Sequence, residues 1–186
     1  IARDEGYAGV VVRVKIMGID VTDDNPTTTT LTVGGGETWD NLVKYTVDQN
    51  LQGIESMSGI PGTVGAAPVQ NIGAYGQELA DTFVSCEAYD TMTDSFVTLK
   101  WEDCNFTYRS SIFRTIAINR FAITKITLAL NKKNPEPPFY DALDKYFNEK
   151  NIDQAAVSVL MIREAVLSIR GNKLPDPATL PNTGSF

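Results

Sequence analysis

Apolar residues along the chain change period several times, and each change marks an element. The run "GVVVRVKIMGIDV" at 9–21 is dense in β-branched residues and ends on "DDNP", a turn sequence, before "TTTTLTV" at 27–33. This pattern predicts a strand, a turn and a second strand. From "GGGETWDNLVKYTVDQN" the period switches to helical: Trp39, Leu42, Val43 and Val47 share one face, with Thr38 as N-cap and the end near Asn50. Three further strands are predicted at "FVSCEAYD", "FVTL" and "FAITKITLAL". In the last of them the alternation slips near Thr124, which implies a bulge or a strand buried on both faces. "NPEPP" at 134–138 breaks the chain. A final helix is predicted from Asp153 to Arg170, with Ala156, Val159, Leu160, Val166 and Leu167 as its apolar set, Asp153 as cap and Gly171 as stop. Strands and helices in this irregular order point to an α+β domain and away from a doubly wound parallel sheet.

Between the first helix and the third strand lies "GIPGTVGAAPVQNIGAYGQE", Gly59 to Glu78, with five glycines and two prolines among Ile, Val and Ala. Loops are ordinarily more polar, and regular elements tolerate few such residues. The glycines permit close backbone approach and the prolines stiffen the path, so the segment can present N–H and C=O groups to a flat, partly apolar ligand. A tightly packed internal turn has the same composition, and on composition both readings stand. "GGGE" at 34–37 invites a phosphate-loop reading. It lacks the G-x-G-x-x-G spacing and the lysine of a P-loop, and Glu37 carries the wrong charge, so a turn into the helix is preferred.

Composition then narrows the chemistry. At 186 residues, 42% apolar and 21% charged, the chain can bury a core. A net charge of −7 argues against nucleic acid or an anionic membrane as a partner. No apolar run reaches spanning length and no basic-then-apolar leader opens the chain, so a cytoplasmic protein is expected. There is no histidine, and the only cysteines, Cys86 and Cys104, have no metal-ligand spacing. No metal is expected, and both thiols read as inert core residues. The first residue, Ile1, and the abrupt stop at Phe186 raise the expectation of a fragment.

The glycine-rich stretch resembles the signature of the UDP-N-acetylenolpyruvoylglucosamine reductases, flavoproteins that make UDP-N-acetylmuramate for bacterial peptidoglycan. "CNFTYRSSIF" at 104–113, "NRFAIT" at 119–124 and "RGNKLPDPATLPNTGSF" at 170–186 match further family motifs in the family's order. The resemblance spans essentially the whole chain. It implies an FAD-binding fold of the vanillyl-alcohol-oxidase type, mainly antiparallel sheet flanked by helices and truncated at both ends. On that scheme residues 1–17 end an N-terminal FAD-binding region, 18–174 form the second part of the FAD-binding domain, and 175–186 open a substrate-binding domain.

The resemblance also implies roles. Gly62, Gly65, Ala66, Val69, Ile72, Gly73 and Ile123 match positions that line noncovalent FAD. Arg109 matches the arginine that faces the enolpyruvyl carboxylate, and Ser185 the serine that delivers a proton. Tyr75, Tyr140 and Lys173 match residues near the substrate, UDP-N-acetylglucosamine enolpyruvate, with NADPH as hydride donor. Two alternatives remain beside this reading. A related flavin-dependent oxidase would be favoured by a His or Cys attaching the flavin covalently. A non-catalytic flavin or nucleotide-sugar binding module would be favoured if the chain were a natural full-length product.

Overall fold

A computed structural model describes residues 5–173. Strands β1 (Ile19–Asp24), β2 (Thr28–Gly34), β5 (Phe83–Asp90), β6 (Ser95–Lys100) and β7 (Phe121–Asn131) form one sheet in the order β1-β2-β7-β5-β6. Every pair in it is antiparallel, as an α+β domain requires. A separate two-stranded ladder joins β3 (Gly73–Ala74) to β4 (Gln77–Glu78). Helices α1 (Trp39–Asp48), α2 (Trp101–Cys104), α3 (Asp141–Glu149) and α4 (Val159–Lys173) complete the described regular elements, with short 3₁₀ turns between.

Alternation decides which face of the sheet is covered. In β2, Thr29, Leu31 and Val33 are buried while Thr28, Thr30 and Thr32 are half-buried on the other face, where the Thr32 and Thr127 hydroxyls meet at 3.1 Å. In β7 the slip at Thr124 is a bulge: Ala88 pairs with Ile123 and Glu87 with Lys125, leaving Thr124 without a partner in the ladder. Its hydroxyl donates instead to the Glu87 carbonyl and carboxylate. The bulge bends β7 and carries Ile123 onto the rim of the site.

The main core lies between the sheet, α1 and the glycine-rich segment. Trp39, Leu42, Val43, Thr46 and Val47 of α1 are buried, and the Trp39 indole donates to the Met57 carbonyl at 3.1 Å. Thr38 holds the N-cap position, but its side chain makes no capping bond. Both cysteines are free and buried; the neighbouring Cys104 thiol, together with burial, pushes the Cys86 thiol up and away from thiolate.

Three expectations need correction. Residues 10–18 form no regular strand, and β1 begins only at Ile19. Gly18 takes φ +116°, and the strip touches β2 and its turn through the Ile16 and Gly18 carbonyls, which accept from Gly36 and Gly34 N–H, and through Gly18 N–H, which donates to the Glu37 carboxylate. The last helix starts at Val159. Asp153 caps a 3₁₀ turn at 154–156, while the Ser158 hydroxyl accepts from Met161 N–H and caps α4. The buried face of α4 is Val159, Ile162, Ala165 and Val166; Leu160 and Leu167 are exposed, and Gly171 lies within the helix. Helix α3, absent from the sequence expectation, buries Leu143 and Phe147 against α4 in a second small core, on which Tyr75 and Phe139 pack.

Helix α4 is also fastened to the start of the glycine-rich stretch. Arg163 grips Asp40 through both guanidinium nitrogens at 2.7 and 2.9 Å and donates to the Ser58 hydroxyl. Asp40 in turn accepts Gly59 N–H at 2.6 Å, and Arg170 donates to the Gly59 carbonyl at 3.0 Å. The Arg163 guanidinium, helped by that N–H, holds the Asp40 carboxyl below its ordinary range against the opposing effect of burial. A carboxylate with a depressed folded pKa stabilises above its unfolded pKa and loses that contribution as pH falls through the folded value. Asp40→Asn therefore lowers stability by about 2 kcal/mol near neutral pH. The deficit shrinks in acid, as urea melts at pH 7 and below pH 3 would show; an equal deficit at both would contradict the ion-pair account.

Candidate functional site

The glycines at 34–36 end β2 and let three backbones touch. Gly35 donates its N–H to the Thr124 carbonyl at 2.7 Å, and Gly65 donates to the Gly35 carbonyl at 2.9 Å. A Cβ on Gly35 would lie 2.8 Å from the Ile123 carbonyl oxygen, and one on Gly65 would lie 3.0 Å from the same atom. On Gly36 it would meet the backbone of Lys15 at 2.8 Å. Further bonds fasten the glycine-rich stretch to the start of α1, from Trp39 N–H to the Gly62 carbonyl at 3.0 Å and from Val64 N–H to the Glu37 carbonyl at 2.8 Å. Glu37 itself turns back, its carboxylate accepting Gly18 N–H at 2.8 Å. The "GGGE" turn is thus a turn into the helix, as expected.

It does more than turn. Gly35 and Gly36, with Thr38, Thr63, Gly65, Ala66 and Ile123, line a groove of about 630 Å³ together with Val12, Arg13, Val14, Lys15 and Met17. Three glycines bring main chain to its lining, Val12, Val14, Met17 and Ile123 bring apolar side chains, and Arg13 and Lys15 supply the charge. Such a groove suits a flat ligand that carries an anionic group.

A second centre stands around Arg109. The residue has φ +52°, and its guanidinium donates to the carbonyls of Gly73 and Asn71. Asn71, buried and left-handed, accepts Ala80 N–H with its side-chain oxygen and donates to the Thr107 carbonyl. Gly73 is needed for contact, since a Cβ there would fall 2.6 Å from Arg109 Nη1. Two residues on, Tyr75 at φ +48° meets Tyr140 edge-on with ring centroids 5.8 Å apart. Burial pushes the Tyr75 phenol up, against the opposing pull of Arg170.

Of the positions expected to line a cofactor, Gly65, Ala66 and Ile123 come together in the groove. Gly62 is exposed beside them at φ +117°. Val69, Ile72 and Gly73 stand apart from that lining. The Val69 carbonyl accepts the Ser111 hydroxyl, Ile72 packs on the core, and Gly73 lies under Arg109. Lys173 is exposed in the last turn of α4, and Ser185 lies outside the described residues. Sequence reasoning missed Gly35, Gly36 and the strip 12–17. The triple glycine carries the signal, since three residues without side chains in a row allow close contact on both sides of a strand end as well as a turn.

Comparison with known proteins finds that the FAD binding domain family matches residues 1–99. A UDP-N-acetylenolpyruvoylglucosamine reductase of Ralstonia nicotianae is 43% identical over 183 residues, covering 97% of this chain and 53% of that protein. The protein of the same name from Cupriavidus pinatubonensis is 45% identical, covering 84% of this chain and 45% of its own length. The crystal structure of the corresponding Thermus caldophilus reductase aligns with a TM-score of 0.56 at 25% identity, over 78% of this chain and 44% of that one. The chain spans about half the length of the curated relatives it matches.

Proposed function

The chain belongs to the FAD binding domain family, and from that premise we propose that it supplies the flavin groove and the carboxylate-binding arginine of an NADPH-dependent reductase. The reaction is reduction of UDP-N-acetylglucosamine enolpyruvate to UDP-N-acetylmuramate, in the cytoplasm, for peptidoglycan synthesis. One observation carries the reading. The groove and the Arg109 centre share one stretch, Gly59 to Glu78, which lends Thr63, Gly65 and Ala66 to the groove lining and the Asn71 and Gly73 carbonyls to Arg109, so the same backbone ties the cofactor and carboxylate sites together.

The residues present fit FAD. Gly35 and Gly65, packed backbone to backbone against Ile123, bring main chain to the groove lining, Val12, Val14 and Met17 add apolar surface, and Arg13 and Lys15 can face a pyrophosphate. Bound there, the flavin supplies a two-electron hydride carrier between nicotinamide and an enol ether. The chain has no histidine, and both cysteines are buried outside the groove lining, which supports noncovalent binding.

The chain's own side chains handle the charge. Hydride addition to the enolpyruvyl methylene carbon leaves negative charge on the neighbouring carbon and its carboxylate. Arg109, held by two carbonyls, presents a fixed cationic fork to that carboxylate. Ser185 then donates its hydroxyl proton to the carbon, which is basic enough to take it in a dry site. Tyr75 and Tyr140 flank the substrate, and Lys173 faces the nucleotide phosphates. Residues 1–17 close the N-terminal FAD region, 18–174 continue the FAD domain and 175–186 open the substrate domain.

A simple experiment decides the matter. The purified complete gene product should be yellow and release its flavin on acid precipitation. It should oxidise NADPH only when the enolpyruvyl sugar nucleotide is present. A colourless protein, flavin retained in the pellet, or oxidation indifferent to that substrate would each contradict the reading.

A further inference from the structure

Among the described residues Glu55 is the one carboxylate at 0% exposure, and its side-chain hydrogen-bond partners are both neutral. One oxygen accepts Gly53 N–H at 2.6 Å; the other accepts the Gln77 amide at 2.9 Å. The Gln77 side-chain oxygen, Oε1, in turn accepts Ser56 N–H at 2.9 Å. A carboxylate bonded only to neutral groups costs free energy on burial, so its retention calls for another reason. Gln77 faces Ala74 across the β3–β4 ladder, beside the pair Gly73 and Glu78. The carbonyl of Gly73 holds the Arg109 guanidinium, and Tyr75 sits at the turn between the two strands.

We infer that Glu55 is a positioning residue: through Gln77 it fixes the β3–β4 hairpin, and the hairpin fixes Arg109 and Tyr75 toward the substrate. The inference rests on the reductase reading only for what Arg109 binds. The polarity of the link is what makes it specific. In Glu55→Gln, a side chain with one acceptor and one amine must face two donors, Gly53 N–H and the Gln77 amine. Flipping the Gln77 amide moves the conflict onto Ser56 N–H without removing it. Gln77→Glu sets two carboxylates against each other. In the double variant Glu55→Gln/Gln77→Glu every donor again meets an acceptor. The new amide at position 55 accepts from Gly53 N–H and donates to the new carboxylate at position 77, which also accepts from Ser56 N–H.

The test uses the complete gene product with two independent readouts. The first is the rate at which phenylglyoxal modifies Arg109, followed by mass spectrometry. The second is the pair of flavin half-reactions, with NADPH and with the enolpyruvyl substrate. In Glu55→Gln, Arg109 should be modified about tenfold faster, and KM for the enolpyruvyl substrate should rise by a similar factor. Flavin reduction by NADPH should stay within about twofold. The swapped double variant should bring both readouts back to within about threefold of the wild type. Should Glu55→Gln not fold, Gln77→Met removes both amide bonds at similar size and should show the same Arg109 exposure. A folded single variant with wild-type Arg109 reactivity would overturn the inference, and so would a swapped variant no better than either single one. If the wild type does not turn over the enolpyruvyl substrate, the reductase reading fails, while the phenylglyoxal series still decides the positioning claim.

Discussion

Ala66→Leu removes tight FAD binding while leaving the fold intact. Ala66 lines the groove and is exposed, so its side chain supports no core residue. The larger side chain occupies space that the cofactor would fill, and affinity should fall about 100-fold or more. Gly35→Ala should fail in a different way. Its Cβ would sit 2.8 Å from the Ile123 carbonyl oxygen and 3.0 Å from that of Thr124, while the Gly35 N–H is bonded to Thr124 at 2.7 Å. Main chain on both sides cannot yield as a flexible side chain would, so stability drops by about 2 kcal/mol along with cofactor binding. FAD fluorescence titrations beside urea melts separate the two variants. Wild-type affinity in Ala66→Leu would show that the groove is not the cofactor site.

The same groove shows what the sequence discloses and what it withholds. The irregularity at Thr124 was legible, as a bulge or a strand buried on both faces, because an extra residue shifts the apolar alternation of β7 locally; the pairing of β5 with β7 decides for the bulge. The α1 face was legible because Trp39, Leu42, Val43 and Val47 repeat with the helical period. The strip 10–18 was not. Its β-branched residues have the composition of a strand, but whether they pair depends on a partner backbone, and the glycines 34–36 offer only two bonds before turning away. Helix α3 escaped notice because only Leu143 and Phe147 of its nine residues are buried, and both are buried by α4, which no local pattern announces. For α4 the cap expected from the sequence, Asp153, is taken by a short turn, and the helix is capped instead by Ser158, which no sequence pattern had singled out. Arg109 lies furthest from any local signal. Its partners are 36 and 38 residues away, and only the family motif marked it beforehand.

Those distant partners give the largest kinetic effect. Arg109→Lys should slow reoxidation of the reduced flavin by the enolpyruvyl substrate by about 10²- to 10³-fold, with flavin reduction by NADPH within about twofold of the wild type. A guanidinium can donate to the Asn71 and Gly73 carbonyls and still direct N–H groups at a carboxylate. A lysine ammonium is a single point on a flexible stem. If it satisfies the two carbonyls it is drawn away from the substrate, and if it reaches the substrate it leaves those carbonyls without a donor. Gly73→Ala probes the same geometry from the opposite side, since its Cβ would press on Arg109 Nη1 and on the Gln77 carbonyl oxygen, both at 2.6 Å. It should therefore impair the same half-reaction while every charge is retained. Stopped-flow absorbance of the two half-reactions reads both variants. Equal slowing of the NADPH step would show that Arg109 serves the flavin rather than the enolpyruvyl carboxylate, because only the second half-reaction develops charge beside that carboxylate.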